Sequence, residues 1–141
     1  MSVRVTWDGF DAFRKALRDA PESVRAQADA VIRDTADVVA RDVRSSYPQG
    51  QTGNLKRGVT VEHNSYRFGS VGVVRSRAQH ASIFEHGTKT RATGTGANRG
   101  AMPRPPSVQQ AIPKFVEARR RMTQALIDVL RGAGFEVHVD A

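Results

Sequence analysis

At 141 residues, with 39% apolar residues, few aromatics and no cysteine, the chain has room for one core. It excludes a disulfide framework, thiolate catalysis and sulfur-ligated zinc. It carries 22 lysines and arginines against 14 acids, a formal net charge of +8, so a polyanion is the first partner to consider. The charge is uneven: Val43 to Val116 holds eleven bases and only two acids, Glu62 and Glu85, while the flanks are close to neutral. A one-sided field of this kind attracts a polyanion or an acidic protein face. The first residues, Met1 to Trp7, lack the apolar stretch of a signal peptide, and no segment approaches membrane-spanning length. An intracellular setting without membrane contact is therefore expected.

Val3, Val5 and Trp7 alternate with Arg4 and Thr6, which predicts a short half-buried strand. Asp8 suits a helix N-cap, and Phe10, Phe13 and Leu17 predict an amphipathic helix over Asp8–Asp19. Pro21 is placed to begin a second, long helix ending near Ser46, with Val24, Ala28, Val31, Thr35, Val39 and Val43 on one face. Its opposite face, with Arg25, Asp29, Arg33, Asp37, Arg41 and Arg44, reads as solvated or as a subunit contact. Residues 47–54 are a Pro/Gly breaker cluster and predict a loop. Val59 and Val61 open a strand, Asn64-Ser65 suits a turn, and Tyr66–Arg75 reads as the return strand, bulged at Gly69-Ser70.

Ala81–His86 reads as a short helical turn. Thr88 to Pro106, about 19 residues of Gly, Thr, Arg and Pro, reads as a long flexible loop, a length usually tied to function or disorder. Ser107 and Gln110 resemble a capping box, and Pro113 predicts a kink or break in the helix that follows. Phe115, Met122, Leu126, Val129 and Leu130 mark the apolar face of the last helix, closed by Gly132 and Gly134. Phe135, Val137 and Val139 alternate in a final strand. The order β-α-α-β-β-loop-α-β predicts a single α+β domain over residues 1–141. In it a mainly antiparallel sheet packs on a long N-terminal helix and a long C-terminal helix, with an extended basic loop at 88–106.

The chemistry-bearing residues form no recognised catalytic pattern. His80 and His86 flank Glu85 without the spacing of a zinc-protease helix, and no second carboxylate is near in sequence. The glycines of Gly94–Gly100 and of Gly87-Thr88-Lys89-Thr90 have the spacing of neither a dinucleotide fingerprint nor a P-loop. No Gly-x-Ser-x-Gly elbow occurs. Neither an enzyme nor a cofactor or metal is expected. Arg119-Arg120-Arg121 fan by about 100° each on a helix, so they read as a solvated basic edge. Lys89, Arg91, Arg99 and Arg104 have no acidic partner in sequence, which suits contact with DNA phosphate or an acidic neighbouring subunit. The loop has no aromatic on which a single-stranded base could stack.

Three blocks in order carry a resemblance: Ser46 to Arg57 with Thr52-Gly53-Asn54-Leu55, then His80 to Thr88 with Phe84-Glu85-His86-Gly87-Thr88, then Met102-Pro103-Arg104-Pro105-Pro106 leading into a helix. Across about residues 22–131 the chain resembles the neck, or tail-completion, family of long-tailed bacteriophages. It departs at His80, where an aromatic is usual, and at Pro105-Pro106, where Pro-Phe is frequent. The resemblance implies a non-enzymatic head–tail connector, made in the bacterial host cytoplasm and incorporated in the virion as a homo-oligomeric ring of six or twelve copies. Its partners would be a connector or stopper protein, a tail-terminator or tail-tube protein, and double-stranded DNA passing through without sequence preference. Thr52, Gly53, Leu55, Phe84, Glu85, Gly87 and Thr88 would form the assembly motif. In that role Leu55 anchors in the core, and Glu85 pairs with an arginine of its own chain or the next. Lys89, Arg91, Arg99 and Arg104 would face the DNA channel or a partner. The alternative from charge alone is a small nucleic-acid-binding protein or toxin-like ribonuclease.

Overall fold

The computed structural model describes residues 4–6, 15, 18–67 and 69–138. Most of the helix expected over Asp8–Asp19, together with Val3, Trp7 and Val139, lies outside the described residues. The elements are β1 (Arg4–Thr6), α1 (Glu22–Ser46), α2 (Asn54–Arg57), β2 (Val59–Tyr66), β3 (Gly69–Ser76), α3 (Ala81–His86), a 3-10 turn at Ser107–Gln109, α4 (Ala111–Gly132) and β4 (Glu136–His138). The class is α+β, as expected: β2 and β3 form an antiparallel hairpin, and β1 and β4 a parallel pair in which Val5 faces Val137. The chain packs as two compact units, one of residues 1–37, 62–73 and 117–141, the other of residues 38–61 and 74–116.

The first unit is built on helical spacing. Val24 and Ala28 of α1, with Ala20, pack into one cluster with Leu126, Ile127 and Leu130 of α4 and Val137 of β4. Leu130 is fully buried there, and Val31, Met122, Val129 and Phe135 close the edges. The end of α4 is a Schellman turn: Phe135 N–H donates to the Leu130 carbonyl and Gly134 N–H to that of Arg131, with Gly134 at φ +86°.

The hairpin turn sits three residues later than expected. β2 continues through Asn64 and Ser65 to Tyr66, and the turn begins at Arg67. The cause lies on α1, where Arg33 donates to Ser65 Oγ at 2.7 Å and Ser65 Oγ donates to Asp29 at 3.1 Å. Ser65 is thereby held within the strand, and the turn moves past it.

In the second unit, Val39, Ala40, Val43 and Tyr47 of the α1 end are buried, as are Val59, Ala81, Phe84 and Ala111. Arg44 spans from α1 to β2, its guanidinium donating to the Val59 carbonyl at 2.8 Å. Pro113 neither kinks nor breaks α4, because the helix begins at Ala111 and the proline falls in its first turn, where no intrahelical N–H is needed. The expected capping box is not formed either. Ser107 belongs to the separate 3-10 turn, which has no side-chain cap, and Gln110 is buried with its amide donating to the Pro105 carbonyl.

Candidate assembly site

Glu85 is the centre of the second unit. Helix α3 places its carboxylate at 7% exposure, a setting a charged group tolerates only with strong hydrogen bonds. Two arrive on one oxygen: Tyr47 Oη donates to Oε1 at 2.8 Å, and the Ala111 N–H donates to the same atom at 2.7 Å. Ala111 is the first residue of α4, so Glu85 caps that helix from 26 residues away, with its negative charge against the positive end of the helix dipole. Tyr47 also meets Phe84 edge-on, ring centroids 5.4 Å apart. The end of α1, all of α3 and the start of α4 therefore meet on one carboxylate. Its other oxygen, Oε2, has no hydrogen-bond partner among the described residues.

Burial and then the Glu85 carboxylate push the Tyr47 phenol well above its usual range. The folded-state value exceeds the unfolded one, near pH 10, so the unfolded chain gives up the proton first. Tyr47 is thus expected to erode stability once pH rises past about 10, and to leave it untouched below. Comparing alkaline unfolding of wild type and Tyr47→Phe checks this: the phenylalanine variant should show the shallower decline above pH 10.

Gly87 ends α3 at φ 69°, ψ −175°, a region open essentially to glycine alone. A Cβ there would lie 2.7 Å from the Met102 carbonyl oxygen and 2.9 Å from the Arg104 nitrogen. Thr88 then pairs with Met102 twice: its N–H donates to the Met102 carbonyl at 2.8 Å, and its hydroxyl accepts the Met102 N–H at 2.9 Å.

These contacts open a hairpin-like ribbon of backbone pairing within the long loop. Arg91 N–H donates to the Gly100 carbonyl, Arg99 N–H to that of Arg91, and Thr93 and Ala97 close the tip. Ala92 bridges Asn98 antiparallel. Arg99 and Gly100 both oppose Arg91, a bulge. No side chain is buried along the ribbon, so hydrogen bonds order it: the backbone pairing, and those that the Thr88, Thr93 and Asn98 side chains accept from the Met102, Ala97 and Gly100 N–H groups.

Lys89, Arg91 and Arg99 are exposed on this ribbon, and their side chains have no hydrogen-bond or ionic partner among the described residues. Arg91 and Arg99 stand across from each other, like charges whose repulsion a bound anion would relieve. Arg104 differs, since it donates to Gln110 Oε1 at 2.9 Å and helps fix the ribbon base.

Thr52, Gly53 and Leu55 form a second set. Gly53 turns the chain at φ 65°, ψ 12° just before α2. Arg57 locks the turn, donating to the Thr52 carbonyl at 2.6 Å and to Asn54 Oδ1 at 2.8 Å. Leu55 is half-buried. Sequence reasoning did not single out Tyr47 or Ala111, and it gave Gln110 a capping role with Ser107 that the fold does not use. A tyrosine closing an apolar helix face was the one available signal for Tyr47.

The site is thus a backbone-fastening node with a cationic ribbon attached. A profile of the family described as "Bacteriophage HK97-gp10, putative tail-component" matches residues 11–87, more than half of the chain. The chain belongs to this family of phage tail components. The matched region contains every residue of the assembly motif except Thr88 and stops where the ribbon begins. No curated protein and no solved structure gives a match. Among the described residues, no helix is long and apolar enough to cross a membrane.

Proposed function

We propose that this chain is a neck, or tail-completion, subunit that forms a ring at the head–tail junction of the virion. In this role it joins the DNA-filled capsid connector to the tail without catalysing a reaction, and the ring holds six or twelve copies. Stopper and tail-terminator or tail-tube proteins are its neighbours, and double-stranded DNA crosses it without sequence readout.

One observation carries the reading beyond the family match. The second unit holds eleven bases against two acids, Asp42 and Glu85, and Glu85 is turned inward onto Tyr47 and Ala111. Its exposed charge is therefore almost unopposed, while the first unit is close to neutral. Such a field suits phosphate passing by, or acidic neighbours in an assembly.

Replacing Lys89, Arg91 and Arg99 together with serine tests this. The three side chains are exposed, so thermal stability should stay within about 1 kcal/mol of wild type. Phage carrying the triple variant should yield filled heads that fail to retain DNA or to join tails, counted by electron microscopy. Normal virions would contradict the role of the ribbon. Cleavage of RNA by the purified protein would instead favour a ribonuclease.

A further inference from the structure

Helix α4 carries an apolar stripe that is used in one half and left bare in the other. Ile127 and Leu130 are buried in the first unit. Ile112 and Val116, on the same face of that helix by spacing, are 45% and 66% exposed. Phe115 beside them is 39% exposed, and Val108, in the 3-10 turn just ahead of the helix, is 71% exposed. Isolated apolar side chains on a surface need no explanation, but a contiguous row does. The row is rimmed by cations: Arg104 at one end, and at the other Arg119, exposed and without a partner among the described residues.

The chain carries a surface of the opposite character. On the outer side of α1, Val38 is exposed, and within about one turn of it lie three acids, Asp34, Asp37 and Asp42, against one base, Arg41. Asp34 has no partner among the described residues, and Asp37 meets only His63, at 3.1 Å. An apolar spot whose surroundings are net acidic complements an apolar row among guanidinium groups. Two copies of the basic-rimmed row would repel each other, which disfavours a two-fold contact through that surface.

We propose that the row Val108, Ile112, Phe115 and Val116 of one copy docks on the α1 surface around Val38 of the next copy, head to tail. A heterologous contact of this kind closes into a ring when its rotation permits. The inference rests on the ring reading above and supplies the surface that builds it.

The test uses the full-length protein and two variants, Val116→Asp and Val38→Asp. Both positions are exposed, so circular dichroism and melting temperature should match wild type, which keeps a loss of assembly separate from misfolding. By light scattering, wild type should form a closed oligomer, and each variant alone should be monomeric, its self-association at least tenfold weaker. Mixed, the variants should form a 1:1 dimer and go no further, because only one intact row meets one intact α1 surface.

A Val116→Asp protein that keeps the wild-type oligomer overturns the docking surface and leaves the ring reading standing. Dimers of Val38→Asp alone would show the row pairing with itself, or with another surface, and also overturn it. A wild type that stays monomeric at every concentration overturns both.

Discussion

Replacing Glu85 with alanine is expected to cost about 3 kcal/mol of stability and lower the melting temperature by roughly 10 °C. The substitution removes no large apolar group. It orphans two donors at once, the Tyr47 hydroxyl and the Ala111 N–H, both of which bond to Glu85 Oε1. It also removes the cap and the negative charge from the start of α4, the helix that supplies Leu126, Ile127 and Leu130 to the first unit's core. Glu85→Gln separates the two contributions. An amide oxygen can still accept from both donors, so the glutamine variant should lose only about 1 kcal/mol, from the missing charge. Equal losses for alanine and glutamine, measured by denaturant unfolding, would show that charge, not hydrogen bonding, is what Glu85 supplies.

Gly87→Ala is expected to be at least as damaging, about 3 kcal/mol or more. Alanine would have to occupy φ 69°, ψ −175°, with its Cβ 2.7 Å from the Met102 carbonyl oxygen. The clashing atoms are all backbone of residues 102–104, at the ribbon base, so no side chain can swing away. Gly53→Ala provides the contrast. Its conformation, φ 65°, ψ 12°, is left-handed helical, and the nearest atom to a Cβ is the end of the Gln49 side chain. That variant should lose only about 1 to 2 kcal/mol. The ribbon itself should loosen in Gly87→Ala and not in Gly53→Ala, read as faster amide exchange at Arg91 and Arg99. Unchanged exchange in Gly87→Ala would contradict the close packing of Gly87 on the ribbon base.

The contrast marks what a sequence can and cannot reveal. Helix α1 was legible because Val24, Ala28, Val31, Val39 and Val43 repeat at helical spacing, and the Gly53 turn because Gly53 lies in the breaker cluster of residues 47–54. The Glu85 cap was not. Its partners, Tyr47 and Ala111, lie 38 and 26 residues away, and no local pattern couples a carboxylate to a helix start at that distance. Local capping chemistry pointed instead to Ser107 and Gln110, and tertiary packing overrode it. The pairing along the ribbon was illegible for a different reason: no residue from Thr88 to Met102 is buried, so the alternation of apolar and polar residues that announces pairing is missing there. Phe115 was read with the apolar face of α4 because it falls in phase with Met122 and Leu126, and phase alone does not say what covers a stripe.

Charge, in contrast, was fully visible in the sequence, and the fold sharpens its meaning. The eleven bases of the second unit meet only two acids, and the node takes one of these out of circulation. What remains is a cationic surface whose ribbon presents Lys89, Arg91 and Arg99 unpaired among the described residues.

A reconstruction of the intact head–tail junction by electron cryomicroscopy tests the central claim most directly. It should show this chain as a closed ring between the capsid connector and the tail, with the 88–102 ribbons against DNA phosphate or an acidic neighbouring surface. A junction ring built without this chain, or one in which the ribbons point into open solvent away from both, would contradict the account.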